Sequence, residues 1–279
     1  MIKNILFGVD GSPGSAIAGD YAMDFARRLG ARLEAVHVLD SRVLEYPLIA
    51  PQTGVVTWSP AAVNGLQEAL RTRGETLLRE TAARGEQAGI PIATRLELGH
   101  PVQILADIQA GTELIVLGRQ GEHARSAPDV PGSTMERFIR RATRPCLVTP
   151  RDFHPVDKIL VAVDGSDSAG RALHEAAELA NALHAPLIIL AVAEHDNELP
   201  LAQQNALEAH SRVRAHGCAA ANLTALGPAA HQVLDKADET GCNMIVVGSH
   251  GHGWIYERLI GSVAAHVVSN SRHPVMLVR

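Results

Sequence analysis

The chain repeats itself. Residues 5–38 and 159–192 lie over each other without a gap, so that Ile5-Leu6-Phe7-Gly8-Val9-Asp10-Gly11-Ser12 answers to Ile159-Leu160-Val161-Ala162-Val163-Asp164-Gly165-Ser166. Leu29, Ala31, Leu33 and Val38 fall on Leu183, Ala185, Leu187 and Val192. Further on, residues 111–118 track 241–248, Gly132-Ser133 tracks Gly261-Ser262, and Pro145 tracks Pro274. Self-similarity over a whole domain length means that one folding unit occurs twice. A chain of 279 residues has room for two domains of ordinary size. The join is expected in Pro150-Arg151-Asp152-Phe153-His154-Pro155-Val156-Asp157, a short segment flanked by prolines, giving domains at 1–150 and 158–279.

Within each unit the periodicity alternates. Apolar runs at 5–9, 33–38, 114–117 and 146–148 are too short for helices and rich in branched residues, so they read as buried parallel strands. Between them lie helical spacings. Ala18, Ala22, Phe25, Ala26 and Leu29 recur three or four apart, with Gly30 at the expected C-cap, and Leu173, Ala176, Ala177, Leu179, Ala180 and Leu183 repeat the pattern. Such alternation makes an α/β fold, here two tandem doubly wound parallel sheets covered on both faces. Ligands of such sheets bind beyond the carboxyl ends of the strands, where strand order reverses. The units differ in the middle. Residues 41–64 of the first are interrupted by four prolines or glycines ahead of a long helix over about 65–87, whereas the second has a shorter helix ending near Gly217. This reads as a surface insertion, with a lid or dimer contact through Val55, Val56 and Trp58 as the sharper alternative.

Composition sets the class of partner. Apolar residues are 46% and charged residues 20%, with a formal charge of −5, so the chain is globular and carries no basic footprint for nucleic acid. No apolar run approaches the roughly 18–20 residues of a membrane span. The first residues enter a strand-like segment with no signal-peptide pattern. Cys146, Cys218 and Cys242 are odd in number and unpaired in spacing. They are expected to be reduced and buried, which suits the cytoplasm.

The chemistry concentrates in Gly248-Ser249-His250-Gly251-His252-Gly253, followed by Gly261-Ser262. The apolar run at 244–247 precedes it as a strand, and residues 263–268 follow as a helix. A strand that ends in glycines and re-enters at a helix N-terminus is suited to a phosphate. No Cβ obstructs the backbone, and the unpaired N–H groups of the first helical turn point at the anion. Ser262 adds a hydroxyl donor.

Taken together, Val163-Asp164-Gly165-Ser166, the spacing Gly248-x2-Gly251-x9-Gly261-Ser262 and the C-terminal His273-Pro274-Val275-Met276-Leu277-Val278 resemble the universal stress protein family, in both halves and hence its tandem members. The resemblance implies the adenine nucleotide alpha hydrolase-like fold, five strands per domain in the order 3-2-1-4-5. It implies ATP as the ligand, since G-x2-G-x9-G-[S/T] marks the family's ATP-binding members. It puts Gly248, Gly251, Gly261 and Ser262 around phosphates and ribose, with the N–H of Val263. His250 and His252 fall beside phosphate or solvent, Val163 and Asp164 at the adenosine end, and Val192 against adenine. The residues agree, because a carboxylate at Asp164 would repel a phosphate and belongs near base or ribose. Asp-Gly-Ser is also good turn and helix-cap chemistry, and the two roles can coexist. Two histidines alone are a thin metal signal, so a Mg2+ would arrive with the nucleotide, held by phosphate oxygens and water.

The first half carries the corresponding positions Asp10, Val38, Gly118, Gly121, Gly132 and Ser133, but ten residues separate Gly121 from Gly132. Pro128 and Pro131 stand in that bridge, and Pro131 removes one N–H donor. Glu122 and Asp129 bring negative charge, which Arg119 and Arg125 are placed to offset. Either this half binds nucleotide or its site has decayed or changed ligand.

The chain has no G-x4-G-K-[S/T] loop and no lysine in the phosphate-binding stretch, which favours binding over hydrolysis. A nucleotide-dependent stress-response module working with an unspecified protein partner is the first reading. A slow ATPase or nucleotidyl transferase using His250 or His252, and an interaction scaffold with incidental nucleotide, are the alternatives. The last strand of each half, near 146–148 and 276–278, leaves an apolar edge. The halves are therefore expected to meet edge to edge as an intramolecular pseudo-dimer, with a homodimer of chains as a further possibility that similar proteins suggest.

Overall fold

The computed structural model describes residues 2–45, 48–50, 54–56, 60–121, 133–251 and 260–279. The first half runs β1 (Asn4–Gly8), α1 (Pro13–Leu29), β2 (Arg32–Asp40), α2 (Arg42–Glu45), β3 (Leu48–Ala50), β4 (Gly54–Val56), α3 (Pro60–Gln87), β5 (Ile92–Gly99), α4 (Pro101–Ile108), β6 (Leu114–Gly118), α5 (Ser133–Ile139) and β7 (Cys146–Thr149). The second runs β8 (Ile159–Val163), α6 (Asp167–Leu183), β9 (Leu187–Ala193), α7 (Leu199–Ala215), β10 (Ala220–Leu226), α8 (Ala229–Thr240), β11 (Met244–Gly248), α9 (Ser262–Asn270) and β12 (Val275–Val278).

Ten strands form one sheet in the order β10-β9-β8-β11-β12-β7-β6-β1-β2-β5. Each half is therefore parallel with its strands in the order third, second, first, fourth, fifth, and the two halves join where β12 pairs antiparallel with β7. The register sets Val275 opposite Val148, Met276 opposite Leu147 and Leu277 opposite Cys146. Alternation along each strand sends side chains to opposite faces. One apolar layer takes Phe7, Val161 and Val246 under α1, α3, α6 and α7, and the other takes Leu6, Leu160 and Ile245 under α4, α5, α8 and α9. Both layers run through both halves, as the fused sheet requires.

The segment between β7 and β8 is fixed rather than tethering. The Phe153 ring meets Tyr21 edge-on with centroids 4.9 Å apart, and the His154 N–H donates to the Tyr21 hydroxyl at 3.2 Å. Arg28 of α1 donates to the carbonyls of Val156 (2.6 Å) and, beyond it, Leu183 (3.0 Å). Arg119 crosses the junction. Its guanidinium donates to the Ser269 and Ser271 carbonyls at the end of α9, where the helix dipole is negative. This corrects the expectation that Arg119 neutralises a phosphate loop in the first half. Its cation serves the other half instead, and burial, with Arg151 nearby, pulls its pKa below the usual arginine range. Arg279 makes the opposite crossing, donating to the Arg140 carbonyl just past α5.

Helix starts follow the local sequence. Ser12 caps α1 by accepting from the Ser15 N–H at 3.1 Å, and Ser166 caps α6 by accepting from the Ala169 N–H at 3.2 Å. Gly30 ends α1 in the left-handed region, as its spacing predicts. The long helix of the first half begins at Pro60, five residues earlier than the pattern suggested, and Val55 and Val56 lie in the short β3–β4 hairpin. Trp58 lies outside the described residues. The three cysteines are free and buried, and burial pushes the Cys146 thiol up to about 12.

Two glycines let strand ends sit on helix starts. A Cβ on Gly248 would lie 2.6 Å from Ser168 Oγ and 2.8 Å from the Ser168 carbonyl carbon, and one on Gly118 would lie 2.6 Å from the Gly14 backbone. Gly248→Ala is expected to cost about 1–3 kcal/mol through overpacking against backbone that cannot yield, measured by denaturant unfolding. Arg119→Ala is expected to cost about 1.5–3 kcal/mol by removing charged hydrogen bonds across the junction, read in the same assay.

Candidate functional site

The second-half crevice opens beyond the carboxyl ends of β8 and β11, neighbours whose following helices, α6 and α9, pass to opposite faces of the sheet. β8 ends at Val163, which is buried in the α6 layer and can offer the crevice only backbone atoms. The turn Asp164-Gly165-Ser166 follows. Gly165 has φ 86°, a conformation that side-chain-bearing residues enter at a cost. One carboxylate oxygen of Asp164 accepts the Ser166 N–H at 2.9 Å. The turn role expected for Asp164 is thus present, while the helix cap itself falls to Ser166. The other carboxylate oxygen faces the glycine loop: a Cβ on Gly251 would lie 2.8 Å from it. Only glycine at 251 lets loop and carboxylate meet this closely.

The loop is pinned at both ends. Ser249 is buried, its N–H donating to the Val278 carbonyl at 2.7 Å and its carbonyl accepting the Gly261 N–H at 2.8 Å. Ser168 of α6 donates its hydroxyl to the His250 carbonyl. These bonds set residues 249–251 beside the start of α9, where the Cβ that Gly261 lacks would fall 3.6 Å from His250 Cα and 3.8 Å from the Gly251 nitrogen. Gly261 is the N-cap of α9 and supplies no side-chain cap. The amides of Ser262, Val263 and Ala264 therefore have no intrahelical acceptor, and the dipole of the helix puts positive potential there. His250 Nδ1 shares a hydrogen with the Ser249 hydroxyl at 2.8 Å, while its Nε2 is buried with no partner among the described residues. Val192 lies near the end of β9, half-buried against the α8–α9 layer. His252 lies outside the described residues.

Sequence reasoning named most of these positions but missed Ser168, Ser249 and Asn205. Ser249 was legible, since it stands inside the loop. Asn205 was not, because it comes from α7, in the middle segment where the two repeats do not align. Its side-chain amide donates to the Asp164 carbonyl at 3.1 Å.

The first half builds the same frame with different fittings. Asp10 accepts the Ser12 N–H at 2.9 Å, and a Cβ on Gly121 would lie 2.9 Å from its second oxygen. Here the position of Ser168 is taken by Gly14, and the Gln120 carbonyl presses so close that a Cβ on Gly14 would fall 2.1 Å from its oxygen. Val38 is half-buried on β2, the counterpart of β9. Ser133 begins α5, whereas Gly132 and the Glu122, Arg125, Pro128, Asp129 and Pro131 positions lie outside the described residues. Among the described residues no cluster of three or more His, Cys, Asp or Glu could hold a metal ion, and no helix is long and apolar enough to cross a membrane.

The frame has relatives. A crystal structure of a universal stress protein from Archaeoglobus fulgidus superposes with a TM-score of 0.76 at 22% identity, covering 98% of this chain and 97% of that one, which is agreement in fold. In sequence, the universal stress protein Slr1230 of Synechocystis sp. is 29% identical over 289 residues, spanning all of both chains. The universal stress protein YxiE of Bacillus subtilis is 35% identical over 146 residues, 44% of this chain and 99% of its own. The family model described as "Universal stress protein family" matches twice, at residues 1–150 and 155–279. The chain belongs to the universal stress protein family and carries two of its domains in tandem.

Proposed function

We propose that the second domain binds an adenine nucleotide, ATP first among them, and that the protein acts as a nucleotide-responsive binding module in a stress response. The observation that carries this reading is the pinning of Gly251 beside the start of α9, whose first amides have no side-chain cap. Amides so placed suit an anionic tail. The Asp164 carboxylate against Gly251 divides the crevice. A phosphate tail is repelled from it and belongs at Gly261, Ser262 and Val263, whereas a ribose hydroxyl can donate to it. Gly251 then flanks the ribose, and the base extends toward Val192 and the backbone of Val163. The unpartnered Nε2 of His250 supports a hydrogen bond to the ligand, since a buried ring nitrogen left without one is costly. Gly248 is called for by packing alone and borders the site from below. A bound Mg2+ would be held by the nucleotide's phosphates. Three free buried thiols fit a reducing compartment, so the cytoplasm is the proposed setting.

Binding is favoured over turnover because the phosphate-binding stretch has no lysine to clamp the phosphates, and the assigned carboxylate, Asp164, is set at the ribose rather than at the phosphates. Purified protein is expected to release adenine nucleotide on denaturation, identified by mass spectrometry. In titration, Gly261→Asp is expected to weaken ATP at least tenfold, because a carboxylate would stand where the phosphates lie. Equal affinity in the two proteins would refute the assignment. Single-turnover assays with labelled ATP, run with enough protein to saturate binding because His250→Ala removes a ligand contact, are expected to give at most slow hydrolysis and the same rate in His250→Ala. A rate abolished by that change would favour the enzyme reading instead.

A further inference from the structure

We infer that Asn205 is a positioning residue for the nucleoside end of the second-domain site, acting through Asp164, and that the first domain carries Leu77 in its place; this rests on the nucleotide reading above. The Asp164-Gly165-Ser166 turn carries a carboxylate set against the glycine loop, and the direction of that carboxylate depends on what fixes the turn. Three bonds bear on it. Ser166 holds one carboxylate oxygen through its N–H, and the same serine anchors the turn to α6 by capping the helix. The third comes from outside the turn: Asn205 of α7 donates its side-chain N–H to the Asp164 carbonyl at 3.1 Å. Its amide also covers the open side of Gly165, where a Cβ would lie 3.0 Å from Asn205 Oδ1 and 3.2 Å from Nδ2. Gly165 is in the left-handed region and carries no side chain, so the amide of Asn205 packs directly against the backbone of the turn.

The first domain tests the logic within the same molecule. Its turn is Asp10-Gly11-Ser12, with Gly11 at φ 78° and the same serine cap. The long helix α3 covers it, and the residue above Gly11 is Leu77, whose methyl carbons lie 3.1 and 3.2 Å from where a Cβ would be. A leucine fills the space and donates nothing. The two domains therefore share a carboxylate in the turn but not an asparagine above it.

The experiment is a double-mutant cycle read by ATP titration on the full chain, with Asn205→Leu, Asp164→Asn and the pair. Asn205→Leu is expected to weaken ATP about tenfold in the wild-type background and less than twofold beside Asp164→Asn, with an unchanged melting temperature. Tripolyphosphate, competed against ATP, supplies the second reading: its affinity is expected to be the same in wild type and Asn205→Leu, because the phosphate end does not touch this turn. Asn205→Asp, of equal size but with no donor, is expected to fall with Asn205→Leu. Unchanged ATP affinity in Asn205→Leu overturns the inference, as does an equal loss in both backgrounds or a parallel loss of tripolyphosphate. Wild-type protein that binds no ATP overturns the nucleotide reading itself, a result distinct from binding that is indifferent to position 205.

Discussion

Everything beyond the carboxyl ends of the strands in each domain depends on strand and helix touching with no side chain between them. Gly248 sits on the Ser168–Ala169 backbone at the start of α6, and Gly118 sits on Gly14 at the start of α1. This contact fixes how far the loop after the fourth strand stands above the turn after the first. With a methyl group interposed, the loop would ride away from Asp164 and the meeting of carboxylate with Gly251 would be lost. Packing density in protein interiors leaves little room for such a shift. The glycine motif of this chain therefore combines two demands of different kind. Gly248 answers to packing and Gly251 to access, and the start of α9 at Gly261 supplies the donors.

Duplication has kept the frame and let the fittings drift. Both domains retain the carboxylate, the serine cap and the glycine facing the carboxylate. The second domain ties its loop down by a serine hydroxyl, where the first lets a carbonyl settle directly onto glycine. Meanwhile Arg119, from the loop that would serve the first site, is committed to the α9 terminus of the second domain. One end of α9 therefore borders the Gly248–Gly251 segment, and the other receives a first-domain arginine.

Much of this was legible in the sequence, and the gaps have physical causes. Buried central strands such as Leu114–Gly118 and Met244–Gly248 announce themselves because both faces are covered. The outer strands Ile92–Gly99 and Ala220–Leu226 do not, since only one of their residues is fully buried and the apolar run breaks up. The glycine spacing marked where β11 ends and where α9 begins. What glycine spacing cannot give is which side of each glycine is crowded, and that separates Gly248 from Gly251. Nor can one repeat be used to find Asn205 in the other, because α3 and α7 differ in length and in what precedes them. The role of Arg119 was misread because its partners lie on the far side of the molecule, about 150 residues along the chain.

Fusing the two sheets through β7 and β12 also changes the arithmetic of exposed strands. Two separate five-stranded sheets would offer four open borders, and the continuous sheet offers two, β5 and β10. Each remaining border carries one half-exposed leucine near its carboxyl end, Leu98 at 44% and Leu226 at 46%. On β5, Arg95 is paired with Glu34 and lies near Glu97, a charged fringe that an incoming strand would have to desolvate. Covalent linkage thus converts a concentration-dependent meeting of sticky borders into a permanent one, and leaves the chain with fewer places where a neighbour could add itself by mistake.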